Sequence, residues 1–247
     1  MEDELLRRAE DLCARCERTA TVTATAFLTP AEQYAVTAWA KRRADCTLLL
    51  HGGCGNAERK AAFFLPFYLA PEDFDASEYL RAVRVTAAFG TPGHRDYLGA
   101  ILGLGVRREW IGDVLVFDNT AYVLCLPSVE AHLLTLEKVG RCGVKTASVA
   151  LIDVPAPERK TRTVTFTVKS LRFDAAVAGL FGLSRTAAAE RIRAGLASLN
   201  YAECLRTDAP VHAGDVLSLR GCGKGAITDE GGLSRKGRRF ITAELWQ

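Results

Sequence analysis

Residues 171–224 read LRFDAAVAGLFGLSRTAAAERIRAGLASLNYAECLRTDAPVHAGDVLSLRGCGK, and their reading decides the fold of the C-terminal part of the chain. Phe173, Ala176, Val177 and Leu180 recur at helical spacing. Gly182 stands where a helix C-cap is expected, and Ser184 where a second helix takes its N-cap. That helix carries Ala188, Ala189, Ile192 and Leu196 on one side, with Arg185, Arg191 and Arg193 around them. A hairpin-like run and a Gly-rich, basic exit follow. Such a unit is too small to enclose a catalytic cleft; it suits the display of basic side chains from a rigid two-helix platform.

The pieces fall in the order Arg172-Phe173-Asp174, Leu183-Ser184-Arg185, Ile192-Arg193-x-Gly195, Leu199-Asn200 and Gly214-Asp215-Val216-Leu217-Ser218-Leu219-Arg220-Gly221. This pattern resembles the S-four domain, a small RNA-binding fold named after a ribosomal small-subunit protein. It departs from that family at Ala187, Leu196 and Ala202, where relatives often carry lysine. RNA binding requires cations that displace counterions from phosphates, together with contacts specific to shape. Arg185 at the helix start and Arg193 two turns on are candidate phosphate contacts, because a guanidinium fork suits bidentate pairing. Ser184 either caps the helix or donates to a phosphate, and Arg172 flanks the same surface. Asn200-Tyr201 occupies the hairpin turn where relatives place Asn-Gly or Asn-aromatic, with Tyr201 a candidate for base stacking. Lys224 completes the candidate RNA-binding set. Arg191 reads as a solvated residue, and Phe173, Val177, Leu180 and Ile192 as core.

Composition bounds the rest. The chain has 247 residues, 49% hydrophobic and 25% charged, which fits a globular protein of two or three domains. The net charge is only +3, but it is uneven: from Ser170 to Phe240 eleven Lys and Arg face seven Asp and Glu. A local basic surplus is the electrostatic footprint of a nucleic-acid module. The N-terminal MEDELLRRAEDLCARCERT lacks the apolar centre of a signal peptide, and the longest apolar run, Tyr97 to Val106, is too short to span a membrane. Eight cysteines without a disulfide rhythm predict a reducing, cytoplasmic setting. Cys13-x-x-Cys16 resembles half a zinc knuckle, but Cys46 and Cys54 are poorly spaced to complete it, so neither metal nor cofactor is expected.

Upstream, the spacing predicts a helix over residues 3–18, a break over Thr19–Thr25 and a helix opened by Thr29-Pro30-Ala31-Glu32 that runs to about Arg43. A short buried strand over Thr47–Leu50, the loop His51–Asn56 and a helix over Ala57–Leu65 follow. Strand, glycine loop and helix in that order invite a phosphate site, but Gly53-x-Gly55-x-x-Glu58 lacks the third glycine and reads as a tight turn. Gly221-x-Gly223-x-x-Ala226 has no helical run after it and is rejected as a dinucleotide fingerprint. Pro71–Ser77 marks a boundary. Beyond it the order is strand (82–89), helix (95–104), strand (114–117), turn, strand (120–126), helix (128–139) and strand (144–152). A βαββαβ order predicts a ferredoxin-like sheet similar to an RNA-recognition motif. Its inner strands offer Phe117 and Tyr122 but not the aromatic signature of that motif. The expected fold class is therefore α+β: a small mixed N-terminal domain (1–74), an RNA-recognition-motif-like middle domain (75–160) and a C-terminal S-four domain with a basic tail, Arg235–Arg239 (161–247). Asp153–Pro157 and Glu158-Arg159-Lys160 read as the linker.

His94-Arg95-Asp96 tempts enzyme readings. A kinase loop requires asparagine where Ile101 stands. Pseudouridine synthases, which often carry an S-four domain, use an Arg-Leu-Asp type motif that is absent here. Arg95 and Asp96 are expected to cap the helix they begin.

Phe27-Leu28-Thr29-Pro30, Gly52-Gly53 with Ala57-Glu58-Arg59-Lys60, His94 to Ala100, Leu102-Gly103-Leu104-Gly105, Arg108-Glu109, Ile111-Gly112-Asp113 and Val139-Gly140 occur in that order. With the S-four pattern they resemble the bacterial YlmH family over nearly the full chain. The resemblance implies a non-enzymatic, monomeric RNA-binding factor of the large ribosomal subunit. Its partners would be rRNA and tRNA, and its setting the quality control of subunits blocked by peptidyl-tRNA, with C-terminal tailing of the stalled peptide. Two alternatives stay open: an RNA-modifying enzyme such as a pseudouridine synthase-like protein, and an adaptor in cell division.

Overall fold

The computed structural model describes residues 2–43, 45–156 and 160–246. The linker residues 157–159 expected above lie outside them. The fold is α+β and divides into two compact units, residues 1–157 and 158–247.

The first unit opens with α1 (Glu2–Thr19), β1 (Thr23–Leu28), α2 (Pro30–Ala40), β2 (Thr47–His51) and β3 (Lys60–Leu65). Thr29 and Glu32 close a capping box at α2: the Thr29 amide donates to the Glu32 carboxylate at 2.7 Å, and Glu32 N–H to the Thr29 hydroxyl at 3.4 Å. The strands form an antiparallel sheet in the order β1-β3-β2. Two expectations are corrected here. Thr19–Thr25 is not only a break, since Thr23 starts β1, and Ala57–Leu65 is not a helix, since β3 is the central strand. Both faces of β3 are covered: Ala62 and Phe64 pack with Cys13, Cys16 and Val36, while Ala61, Phe63 and Leu65 pack with Phe27, Leu80 and Leu124. A strand buried on both sides loses its alternation, so its continuous apolar run does not distinguish strand from helix. With no helix after the glycine loop, the tight-turn reading of that loop stands. Thr47–Leu50 is only partly buried.

The same unit continues with β4 (Arg81–Ala87), α3 (His94–Gly103), β5 (Ile111–Phe117), β6 (Thr120–Cys125), α4 (Pro127–Leu134), β7 (Lys138–Val139) and β8 (Cys142–Val149). The sheet is antiparallel in the order β5-β6-β4-β8-β7. The expected helix over 128–139 stops at Leu134, and Val139 belongs to the short β7. The last strand stops at Val149, leaving Ile152 91% exposed in a single 3-10 turn. One face of this sheet carries Val83, Val85, Val114, Ala121 and Val123 against Tyr97 and Ile101 of α3 and Val129 and Leu133 of α4. Part of the opposite face, including Ala82, Leu124 and Val149, packs against Phe27 and Phe63 of the first sheet. Residues on either side of Pro71–Ser77 thus share one core.

The second unit comprises β9 (Thr161–Val168), α5 (Phe173–Phe181), α6 (Arg185–Arg193), β10 (Ala197–Leu199), β11 (Ala202–Glu203), β12 (Val216–Leu219), β13 (Gly223–Leu233) and β14 (Arg239–Trp246). Its sheet runs β11-β10-β12-β13-β14-β9. Phe173, Val177, Leu180, Ala188 and Ile192 pack on Leu217, Leu219, Ile227, Ile241 and Ala243 in one core. The basic stretch Arg235–Arg239 is not a tail: it lies at the turn joining β13 to β14, where Arg238 donates to the Thr167 carbonyl at 2.8 Å.

Candidate nucleic-acid interface

The two-helix platform is fixed by local chemistry. Gly182 ends α5 at φ 67°, a left-handed conformation that glycine adopts without strain. Leu183 N–H returns to the Ala178 carbonyl at 2.9 Å. Two residues later the Ser184 hydroxyl accepts from Ala187 N–H at 3.1 Å and starts α6. Ser184 therefore caps the helix.

Beneath the turn lies a carboxylate that the sequence pattern includes but does not explain. Asp174, only 6% exposed, accepts from Arg172 Nε at 3.2 Å, Arg172 Nη2 at 3.4 Å and Arg185 Nη2 at 2.8 Å. Burial pushes its pKa up, but the hydrogen bonds from Arg172 and Arg185 outweigh burial and hold it below the usual carboxylate value. Each guanidinium has five N–H donors, so Asp174 uses a minority of them. The two arginine side chains stay 39% and 56% exposed. Arg193 ends α6, exposed and in no ion pair among the described residues. Arg191, expected to be solvated, instead reaches the Cys222 sulfur at 3.0 Å.

The other candidates gather across the hairpins. Asn200 and Tyr201 form the β10–β11 turn with φ of 51° and 69°. Asn200 donates to Asp215 at 2.8 Å and accepts from Val216 N–H at 2.9 Å, which ties the turn to β12. Lys224 Nζ lies 5.2 Å from the Tyr201 ring centre and 5.3 Å from that of Trp246. The cation thus stands between two aromatic faces, which attract it electrostatically. Strand register places Glu203, Ser198, Ser218, Lys224 and Trp246 in one row on the sheet face away from the helices. Part of this row lines an open groove of about 530 Å³ that also takes in Arg220. Two groups of candidates therefore emerge: Arg172, Ser184, Arg185 and Arg193 on the helices, and Asn200, Tyr201 and Lys224 at the hairpins. Asp174 and Trp246 escaped the sequence reading. Asp174 was visible only as an acid inside a basic motif, and Trp246 gave no local signal.

In the first unit, Asp96 accepts from Gly93 N–H at 2.8 Å and so caps α3, while Tyr97 is buried and donates to the Asn119 carbonyl at 2.9 Å. The separated motif segments meet elsewhere. Asp113 accepts from the amides of Glu58 at 2.6 Å and Arg59 at 3.0 Å. Arg59 donates to the Phe27 carbonyl at 2.8 Å, and Arg108 to those of Ile111 and Gly112 at 2.6 and 3.1 Å. This junction ties separate backbone segments together through the side chains of Arg59, Arg108 and Asp113. Among the described residues no cluster of three or more His, Cys, Asp or Glu is placed to hold a metal, and no helix is long and apolar enough to cross a membrane.

An α+β architecture with a basic two-helix platform and separate hairpin cations defines the class of protein. Residues 70–153 match the family model described as "Putative RNA-binding domain in YlmH". The chain is 33% identical to the "Ribosome-associated protein quality control protein P2" of Bacillus subtilis (strain 168) over 222 residues, 89% of this chain and 86% of that protein. A solved structure, the "Cell division protein ylmH from Streptococcus pneumoniae", superposes with a TM-score of 0.52 at 19% identity, covering 62% of this chain and 93% of that one; at this identity it shows the fold alone. The chain belongs to the YlmH family.

Proposed function

We propose that the chain is a non-enzymatic RNA-binding factor that associates with the ribosome. Its second unit acts as an S-four domain gripping large-subunit rRNA and tRNA. The observation that carries this reading is the Asp174 clamp. One buried carboxylate orients Arg172 and Arg185 at the α5–α6 turn, and their remaining donors stay accessible. Pre-oriented guanidinia lose little entropy when they meet phosphate. Arg193 adds a further cation at the end of α6. Asn200 shapes the hairpin, while Tyr201 and Lys224 offer a stacking face and a charge at the groove.

Family membership and the name of the Bacillus relative support a place in ribosome-associated quality control. The finer reading is action on large subunits blocked by peptidyl-tRNA, where C-terminal tailing of the stalled peptide takes place, by a monomer in the cytoplasm.

The test is co-sedimentation of the full chain with large ribosomal subunits over a salt series, comparing wild type with Arg185→Ala plus Arg193→Ala. Binding is expected to fall with salt, and the slope to drop by about one for each phosphate contact removed. A thermal melt of the double variant separates lost contacts from lost folding. Binding that ignores both salt and the substitutions overturns the reading.

A further inference from the structure

The middle sheet has a second face that its core leaves partly uncovered. Antiparallel partners project to the same side of a sheet, so the register assigns two neighbouring rows. One row is Leu115, Tyr122, Arg84 and Ala147; the next is Phe117, Thr120, Thr86 and Lys145. These rows lie opposite the side that Val83, Val85, Ala121 and Val123 turn toward α3 and α4. The adjoining positions Ala82, Leu124 and Val149 are covered by the three-stranded sheet, and Leu115 and Tyr122 stand at the edge of that cover. Beyond them the face is open: Phe117 is 39% exposed, and Arg84 and Lys145 are exposed.

Phe117 and Tyr122 touch edge to face, with ring centres 6.1 Å apart. Thr86 and Thr120 join their hydroxyls at 3.4 Å. Neither row contains a carboxylate; the nearest in sequence is Asp118, in the turn. Among the described residues Arg84 and Lys145 make no ion pair. Their positions are diagonal neighbours on adjacent strands, about 7–8 Å apart by ladder geometry. The face thus combines two uncommitted cations, an aromatic pair, small hydroxyls and no opposing charge within its rows.

We infer that this face is a binding site for single-stranded RNA, in which Phe117 at the outer edge stacks on an unpaired base and Arg84 and Lys145 hold flanking phosphates. A duplex presents phosphates but hides its base faces, so an aromatic platform beside unpaired cations selects the single strand. The inference rests on the RNA-binding reading above but assigns a second contact, in the first unit and independent of the Asp174 clamp.

The experiment measures fluorescence anisotropy of a labelled, unstructured RNA oligonucleotide with the full chain at several salt concentrations. Phe117→Ala is expected to weaken binding about ten-fold at every salt, as loss of one base–aromatic stack does. Its dependence on salt stays that of wild type. Phe117→Tyr restores affinity. Arg84→Ala with Lys145→Ala is expected to flatten the logarithmic salt slope by about 1.4, the value for two phosphate contacts on a single strand. Unaltered binding in both variants overturns the inference. If only Arg185→Ala plus Arg193→Ala abolishes binding, the second site falls while the clamp reading stands. Failure of wild type to bind the oligonucleotide while it still sediments with ribosomal subunits also overturns the inference, and leaves this face to a protein or duplex partner.

Discussion

Replacing Asp174 by Asn keeps the size and the backbone bond from residue 174 to the Thr207 carbonyl at 2.9 Å, removes the charge that faces two guanidinia, and turns one accepting oxygen into an NH2 that cannot accept from them. Breaking a fully buried ion pair costs about 3–5 kcal/mol. Here the carboxylate is buried but its partners are 39% and 56% exposed, so solvent screens the cationic side and the expected loss is about 1–3 kcal/mol at pH 7. The pH dependence follows from the depressed pKa of Asp174. A carboxyl group that ionises more easily folded than unfolded contributes stability above its unfolded pKa, about 3.9, and loses it as pH falls through the folded value. Asn has no such titration, so the gap between wild type and Asp174→Asn is expected to narrow below about pH 4. Urea unfolding at pH 7, 5 and 3 checks this, read by hydrogen exchange of peptides from α5 and α6 so that the second unit is followed by itself. With a urea slope of about 1–3 kcal/mol/M, the midpoint at pH 7 shifts by roughly 1 M. An unshifted midpoint at pH 7, or a gap of constant size down to pH 3, refutes the clamp.

Four further outcomes are expected. Gly179→Ala in α5 places a Cβ 2.1 Å from the Phe166 ring; the crowding outweighs the gain in helix propensity of about 1 kcal/mol and lowers the melting temperature, and Phe166→Leu in the same chain recovers part of the loss. Asp113→Asn cannot accept from both the Glu58 and Arg59 amides, and the loss of one of these exposed or half-buried bonds costs about 0.5–1.5 kcal/mol in chemical denaturation. At residue 200, both Gly and Ala lose the bonds to Asp215 and Val216, but only Ala is strained at φ 51°, so Asn200→Ala is expected to be about 1–2 kcal/mol less stable than Asn200→Gly by urea titration. The Cys125 thiol, fully buried and pushed up to about 12 by burial and the nearby Glu130, is expected to resist iodoacetamide at pH 8 until the chain unfolds, as mapped by mass spectrometry.

What the sequence disclosed tracks the range of the interactions involved. α5, its glycine cap, the Ser184 cap and the Asn200-Tyr201 turn each depend on residues within a few positions, so their signals survive in a linear reading. β3 does not: its neighbours on both faces come from α1, α2 and the middle sheet, and double burial erases the alternation that marks a strand. The same limit governs the sites. Arg172 beside Asp174 is readable as a local pair, whereas the approach of Arg185 across the α5–α6 turn requires the helices to be packed. Tyr201 comes from the β10–β11 turn and Lys224 and Trp246 from two paired strands, and only the folded sheet brings the three together. Arg59 and Asp113 are 54 residues apart, and only the folded chain shows that the segments carrying them close one junction.

The clamp also changes how a basic motif is weighed. Asp174 lowers the net positive charge of the platform, and by charge counting it opposes RNA. Yet an arginine free in solution must be ordered when it binds, at a cost of about 0.5–1.5 kcal/mol per immobilised side chain. A buried carboxylate that holds two guanidinia by one edge each meets much of that cost during folding and leaves their other donors for phosphate. On the proposed reading, the acid inside the basic motif favours binding through orientation, although its charge opposes it. Substituting Asp174 and substituting Arg185 are expected to weaken RNA binding in the same direction while changing net charge in opposite directions, and a ribosome-binding salt series that orders the variants by net charge alone rules this out.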